Sequence, residues 1–196
     1  MILAEEIFQL HSNSIPRWYQ ESIVITEEGF LALVQENHAY NYQLWLEEDK
    51  ARRDDQGFEY IYRAKRNIDH FNQQRNNFME KMDQWIFNEL KPAQDGSVPF
   101  NSEAPGMMID RLSILALKEY HMGLQTERQD TTDAHRQACL QKLAVIKQQR
   151  KDLAKRLEEF LQQIVDHKRS FKVYYQFKMY NDPALNPQLY TKIDKV

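Results

Sequence analysis

The chain is short of the residues that interrupt regular structure: its 196 residues include only 5 glycines and 6 prolines. That is too few for the many turns of a β-sandwich or barrel. A single cysteine, Cys139, rules out an intrachain disulfide and suits a reducing compartment. Alone, it reads as a small helix residue rather than a nucleophile. No window approaches 18 apolar residues, and Met1 to Leu10 carry Glu5 and Glu6 where an export signal would need a basic start and an apolar core. We therefore expect a cytoplasmic protein with no membrane span. Charge of one sign is also missing: 26 Lys+Arg stand against 29 Asp+Glu, for a net charge of −3. No basic block is long enough to trace a phosphate backbone, so nucleic acid is not an expected partner.

Recognisable catalytic motifs are absent too. None of the 6 histidines has a glutamate three residues before it, as di-iron bundles require. There is no glycine-rich phosphate loop, nucleophile elbow or zinc spacing. His38 with Glu48 or Asp49 is the one conceivable metal pairing, so no metal site is assigned and the cofactor is left open.

What is present is helix-forming sequence rich in Glu, Lys, Gln, Leu and Arg. We expect residues 1–196 to form one all-α domain: a bundle of about four long helices, a short N-terminal helix and an irregular C-terminal tail. The first helix is predicted from Leu3 to Leu10, ended by His11 to Ser14 before Ile15-Pro16. A connector follows, with Trp18 and Tyr19 packed down on the bundle. Thr26 is the expected N-cap of a helix running to Arg53. Phe58 to Leu90 is a second, Lys91-Pro92 ends it, and Ala93 to Ala104 is the longest loop. Pro105 suits the first turn of a helix through Glu127. A last long helix starts near Ala134, where Leu143, Ile146, Arg150, Leu153, Leu157, Phe160, Ile164, His167, Phe171 and Tyr174 step by threes and fours along one seam.

Polar residues fall on several inner faces. On the Thr26 to Arg53 helix, Phe30, Leu31, Val34 and Trp45 mark the inner stripe, and His38, Asn41, Glu48, Asp49 and Arg52 share its sector, while Glu36, Gln43, Glu47 and Lys50 point away. On the next helix Asn72 and Arg75 fall within the apolar stripe, with Lys65 at its edge and Asp69 just beyond. The segment from Pro105 to Lys118 is apolar on nearly every side, which places it mid-bundle, with Asp110, Arg111, Ser113 and Lys118 as exceptions. Ionised groups are rarely buried unpaired, so each needs an opposite charge or a ligand. A network built only to fix helix register seldom needs ten members, whereas a mixed lining of Arg, Lys, Asp, Glu, His and Asn suits a small anionic or polyhydroxyl ligand.

The segments His38-x-x-Asn41-x-x-Leu44-Trp45-x-x-Glu48-Asp49-x-x-Arg52, Lys65-x-x-Ile68-Asp69-x-x-Asn72-Gln73-x-Arg75-Asn76, Pro105-Gly106-x-x-Ile109-Asp110-Arg111-Leu112-Ser113-Ile114-Leu115 and Gln176-Phe177-Lys178-Met179-Tyr180-Asn181-Asp182-Pro183 resemble an uncharacterised family, domain of unknown function 4254. The resemblance implies a helical, cytosolic bacterial protein, with a hint of envelope-sugar metabolism. Two local likenesses are weaker. Ile109-Asp110-Arg111-Leu112 with Lys118 is similar to the first helix of all-helical chorismate mutases, and Glu80-x-x-Asp83 to the acidic pairs of helical nucleotide pyrophosphohydrolases, though Glu47-Glu48-Asp49-Lys50-Ala51 lacks their partner motif.

Two functions from different classes follow. The first is a site for a small anionic or sugar-phosphate ligand, enzymatic or not, with Asn41, Arg52, Lys65, Asn72, Arg75 and Arg111 binding it. Glu48, Asp49, Asp69 and Asp110 would then act as acid, base or orienting carboxylates, and His38 as general base because its ordinary pKa is near neutrality. The second is a non-enzymatic adaptor or homodimer joined through the last helix, where Ala138, Val145 and Phe177 offer fragments of a second apolar strip. In either case Glu48 or Asp49 is expected to pair with Arg75 or Arg111, making Arg111 the structurally important cation.

Overall fold

A computed structural model describes residues 3–177, 179 and 182–189. Five helices carry the fold: α1 (Ala4–Gln20), α2 (Gly29–Lys50), α3 (Phe58–Leu90), α4 (Pro105–Glu127) and α5 (Asp133–Val165). Of the described residues, 73% are helical. Two hairpins, α2 with α3 and α4 with α5, make the most extensive contacts, and α4 touches all four other helices. Its central place follows from its sequence, since ten of its residues are buried, including Met108, Ile109, Leu112 and Leu117. No helix among the described residues is long and apolar enough to cross a membrane.

The N-terminal helix is longer than its sequence suggests. Pro16 sits inside α1, where it removes one backbone donor. The last turns hold because Ile15 and Trp18 are buried against Ala39, Tyr42, Ala116 and Leu117, so tertiary packing outweighs local propensity. Thr26 is not the cap of α2. The backbone turns at Gly29 (φ 57°), and the buried Gln35 reaches back from inside α2 to accept hydrogen bonds from the Thr26 and Glu27 amides at 2.8 and 3.1 Å. The helix ends at Lys50 rather than Arg53.

The seam of α5 also stops early. Asp166 follows the last helical residue, and His167 is left-handed at φ 52°. Phe171 is nevertheless fully buried. It lies in β2 (Ser170–Phe171), which pairs in parallel with β1 (Phe100–Asn101) and fastens the segment after α5 to the α3–α4 loop. Tyr174 is exposed. Of the closing motif, Lys178, Tyr180 and Asn181 lie outside the described residues.

The apolar interior is in two parts. The larger joins Ile7, Leu10, Val34, Met82, Ile86, Ile109, Leu112, Leu157 and Ile164. The smaller joins Ile15, Trp18, Ala39, Tyr42, Ala116 and Leu117. In sequence, the buried residues between these sets are mostly polar: His11 and Ser14 on α1, Gln35, Asn37 and His38 on α2, and Ser113 beside Leu115 on α4. A polar layer thus crosses the bundle and runs out into the cleft described below.

Asp83 on α3 is a second polar element of the interior. Its Oδ1 accepts a 2.6 Å hydrogen bond from the Gly106 amide at the start of α4, and burial pushes its pKa up to about 7. The neutral form is therefore favoured in the fold: this contribution is complete below the ordinary value of 3.8 and disappears as pH rises to about 7. The buried His11 and His38 act in the opposite sense. Burial lowers both, His38 to about 3, so their contribution is complete above 6.5 and is lost as pH falls below it. Each group changes stability by at most about 1.4 kcal/mol per pH unit. Between pH 6 and about 4.5, Asp83→Asn should lose stability up to roughly twice as steeply as the wild type, because two opposing histidines then act without the offsetting carboxyl. Urea titrations across that range test this, and parallel profiles would show that the Asp83 carboxyl is not buried as described.

Candidate functional site

Helical spacing brings three helices to one cleft. On α2, Asn41, Trp45, Glu48 or Asp49, and Arg52 follow at steps of about one turn. On α3 the steps are Asn72 and Arg75, and on α4 Ile114 and Leu117. Together with Leu44 these residues line an open cleft of about 340 Å³ whose floor is apolar and whose rim carries charge. A second depression of about 490 Å³ shares Asn72, Arg75 and Ile114 and extends past Asn76, Asp110 and Arg111. Asn41, Glu48, Asp49, Arg52, Asn72, Arg75, Asp110 and Arg111 all line one or the other.

The inner wall is a chain of hydrogen bonds. Asp110 Oδ1 accepts from Asn37 Nδ2 at 3.0 Å and from Asn41 Nδ2 at 2.9 Å. Asn41 Nδ2 also lies 3.0 Å from Ser113 Oγ. Ser113 is in turn 2.7 Å from His38 Nδ1, while His38 Nε2 faces the His11 carbonyl at 3.1 Å. A carbonyl only accepts, so Nε2 carries the proton and Ser113 donates to Nδ1. Both ring nitrogens are thereby committed, the ring is fully buried, and burial pushes its pKa down to about 3. His38 thus lies in the core and does not line the cleft. It was expected to be the general base, but its geometry is that of a register-fixing core residue.

The expected ion pairs form with other partners. Glu48 pairs with Arg52 one turn away at 2.7 Å. Arg75 Nε lies 3.7 Å from Asp110, and Arg111 meets Glu103. Neither Glu48 nor Asp49 reaches Arg75 or Arg111, because the α2 carboxylates sit at the cleft mouth. Arg111 is 55% exposed, so its pair is worth under about 1 kcal/mol and Arg111→Ala does not threaten the fold. Asp69, partly buried on α3, pairs with Lys65 at 3.4 Å and Arg66 at 3.0 Å, and neither Lys65 nor Asp69 lines the cleft. Glu47, expected to point away, is buried between α2 and α3, where Asn67 Nδ2 donates to it at 3.1 Å.

Among the described residues the buried cation is Arg150 instead, 2% exposed, with Glu119 at 3.0 Å.

Sequence reasoning missed the back of the cleft. Trp45, expected only as part of an apolar stripe, stacks flat on His121, with ring centroids 4.2 Å apart and planes 6° apart. His121 Nε2 is 3.2 Å from the Tyr19 hydroxyl, and burial pushes that phenol up to about 12. Burial lowers the His121 pKa, while the charge of Asp49 opposes the shift. His121 follows Ile114 and Leu117 by helical steps, a signal the wheel of α4 contains. Among the described residues no group of three or more His, Cys, Asp or Glu is placed to hold a metal.

No curated protein and no solved structure gives a significant match to this chain. A family model described as "Protein of unknown function (DUF4254)" matches residues 31–173, which span α2 to the start of the tail and include both depressions apart from Gln176. On that match the chain belongs to the DUF4254 family.

Proposed function

We propose that the chain binds a small anionic or sugar-like molecule in the cleft between α2, α3 and α4. The observation that carries this reading is Arg75. Its side chain is partly buried and lines both depressions, yet the buried Nε has no hydrogen bond and its one ion-pair contact among the described residues is long, at 3.7 Å. An inward-facing N–H of a cation left without an acceptor is costly unless something completes its shell. The surroundings favour a polyhydroxyl ring: Trp45 offers a flat apolar face held rigid by His121, and Asn41, Asn72, Glu48 and Asp49 offer donors and acceptors around it.

A thermal-shift screen of sugar phosphates, nucleotide sugars and small carboxylates tests this, since a ligand at 100 times its dissociation constant adds about 2.7 kcal/mol. Arg75→Met and Trp45→Ala should each abolish the shift given by the best hit. A hit that stabilises both variants as well as the wild type would bind elsewhere, and the cleft would lose its assignment.

A further inference from the structure

We propose that the cleft is one half of a two-lobed site, and that the second lobe holds a phosphoryl group attached to the ring seated on Trp45. The inference rests on the cleft reading and adds the ligand's second moiety. Its starting point is Asn76. This α3 side chain lines the second depression, is only 3% exposed, and leaves its Oδ1 without a hydrogen-bond partner. Nearly all buried amides are satisfied, so an unpaired one on a cavity wall marks a place where a guest group bonds. Arg75 stands one residue earlier and belongs to both lobes, while Arg111 enters the second lobe from α4.

Two guanidiniums and an amide around one space suit a tetrahedral oxyanion, which accepts from both arginines and, when singly protonated, donates to the amide oxygen. The carboxylates in this lobe do not close it to an anion. Asp110 already accepts from Asn37 and Asn41, and Glu103 holds Arg111 in a half-exposed pair, which a stronger acceptor displaces at little cost. The other lobe differs in kind. Its Trp45, Leu44 and Leu117 form an apolar bed for a ring face, and its α2 charges, Glu48, Asp49 and Arg52, lie toward solvent. The shared residues Asn72 and Arg75 mark where ring and phosphoryl group join.

Ligand-observed titrations with glucose, α-glucose 1-phosphate and inorganic phosphate test the division on the full chain. We expect glucose 1-phosphate to bind at least tenfold more tightly than glucose. Arg111→Met and Asn76→Leu should each erase that advantage while leaving glucose affinity unchanged, and Trp45→Ala should weaken both sugars. Asn76→Leu should also melt no lower than the wild type, because an amide kept for a ligand is not holding the helices together. Equal affinity for glucose with and without phosphate, lost in Trp45→Ala, would overturn the second lobe and leave the cleft standing. An advantage that survives both lobe variants would also overturn it. Binding indifferent to Trp45, or no binding of any probe, would overturn the cleft reading and the second lobe with it.

Discussion

Replacing Arg150 with methionine should lower the unfolding free energy by about 3 to 5 kcal/mol, the usual cost of removing one partner from a buried ion pair. Arg150 sits on α5 and ties three helices together. Nη1 donates to Glu119 on α4 and to Ser12 Oγ on α1, each at 3.0 Å. Nη2 donates to the Phe8 carbonyl at 2.8 Å, and the guanidinium lies 3.7 Å over the Phe8 ring. Methionine would keep much of the stem volume but leave Glu119 without its donor, while the Phe8 carbonyl would keep its bond from Ser12 Oγ at 3.0 Å. Adding Glu119→Gln should restore part of the loss, since the stranded charge goes with it. Urea denaturation of the two single variants and the double variant measures this. A strictly additive cycle would mean that the pair is not coupled in the fold.

Gly106→Ala is the second large effect. A Cβ there would stand 2.5 Å from the Met79 carbonyl oxygen and 2.9 Å from Asp83 Oδ1. The carbonyl belongs to the backbone of α3 and cannot swing aside, so α3 and α4 must separate where they flank the second lobe. Overpacking of this kind costs about 1 to 3 kcal/mol, and we expect the upper end. Gly123, on the same helix, has nothing within 4 Å of its would-be Cβ. Gly123→Ala should therefore stabilise the protein by up to about 1 kcal/mol through helix propensity alone. Equal responses of the two alanine variants in denaturant titrations would dismiss the close approach.

The fold was readable because helix signals are local. Lys91-Pro92 and Pro105 bracket the longest loop, and α3 and α4 begin and end where their caps and periodicity place them. The errors fall where distant contacts decide. Pro16 stays helical because Trp18 finds the smaller apolar cluster, and Thr26 gives its amide to Gln35, nine residues on, instead of capping the helix. Phe171 was placed in the core by its spacing, yet reaches it from a strand that the wheel of α5 cannot foresee.

For the site, a wheel tells which residues face inward but not how far along the bundle each one lies. Asn41, Asn72, Arg75 and Asp110 were assigned to one polar region and converge on it. Depth was invisible, however. His38 went into the core, Lys65 and Asp69 stayed outside, and the arginines chose nearer carboxylates than those proposed for them. His121 escaped notice because its value lies in the ring it stacks on, which belongs to another helix.

The pairing of Phe100 with Ser170 joins residues far apart in the chain, and this sets the order in which the molecule is completed during synthesis. The Trp45 lobe is lined only by α2, α3 and α4, so its parts, with the His121 that backs Trp45, exist once the ribosome has passed residue 121. The neighbouring lobe includes Gln176, whose amide is anchored 2.6 Å from Glu80 Oε1. That anchor follows α5 and the strand pair, so this lobe is finished last. A nascent chain stalled within α5 would hold every residue that lines the Trp45 cleft before the tail's contribution to the neighbouring lobe had been made.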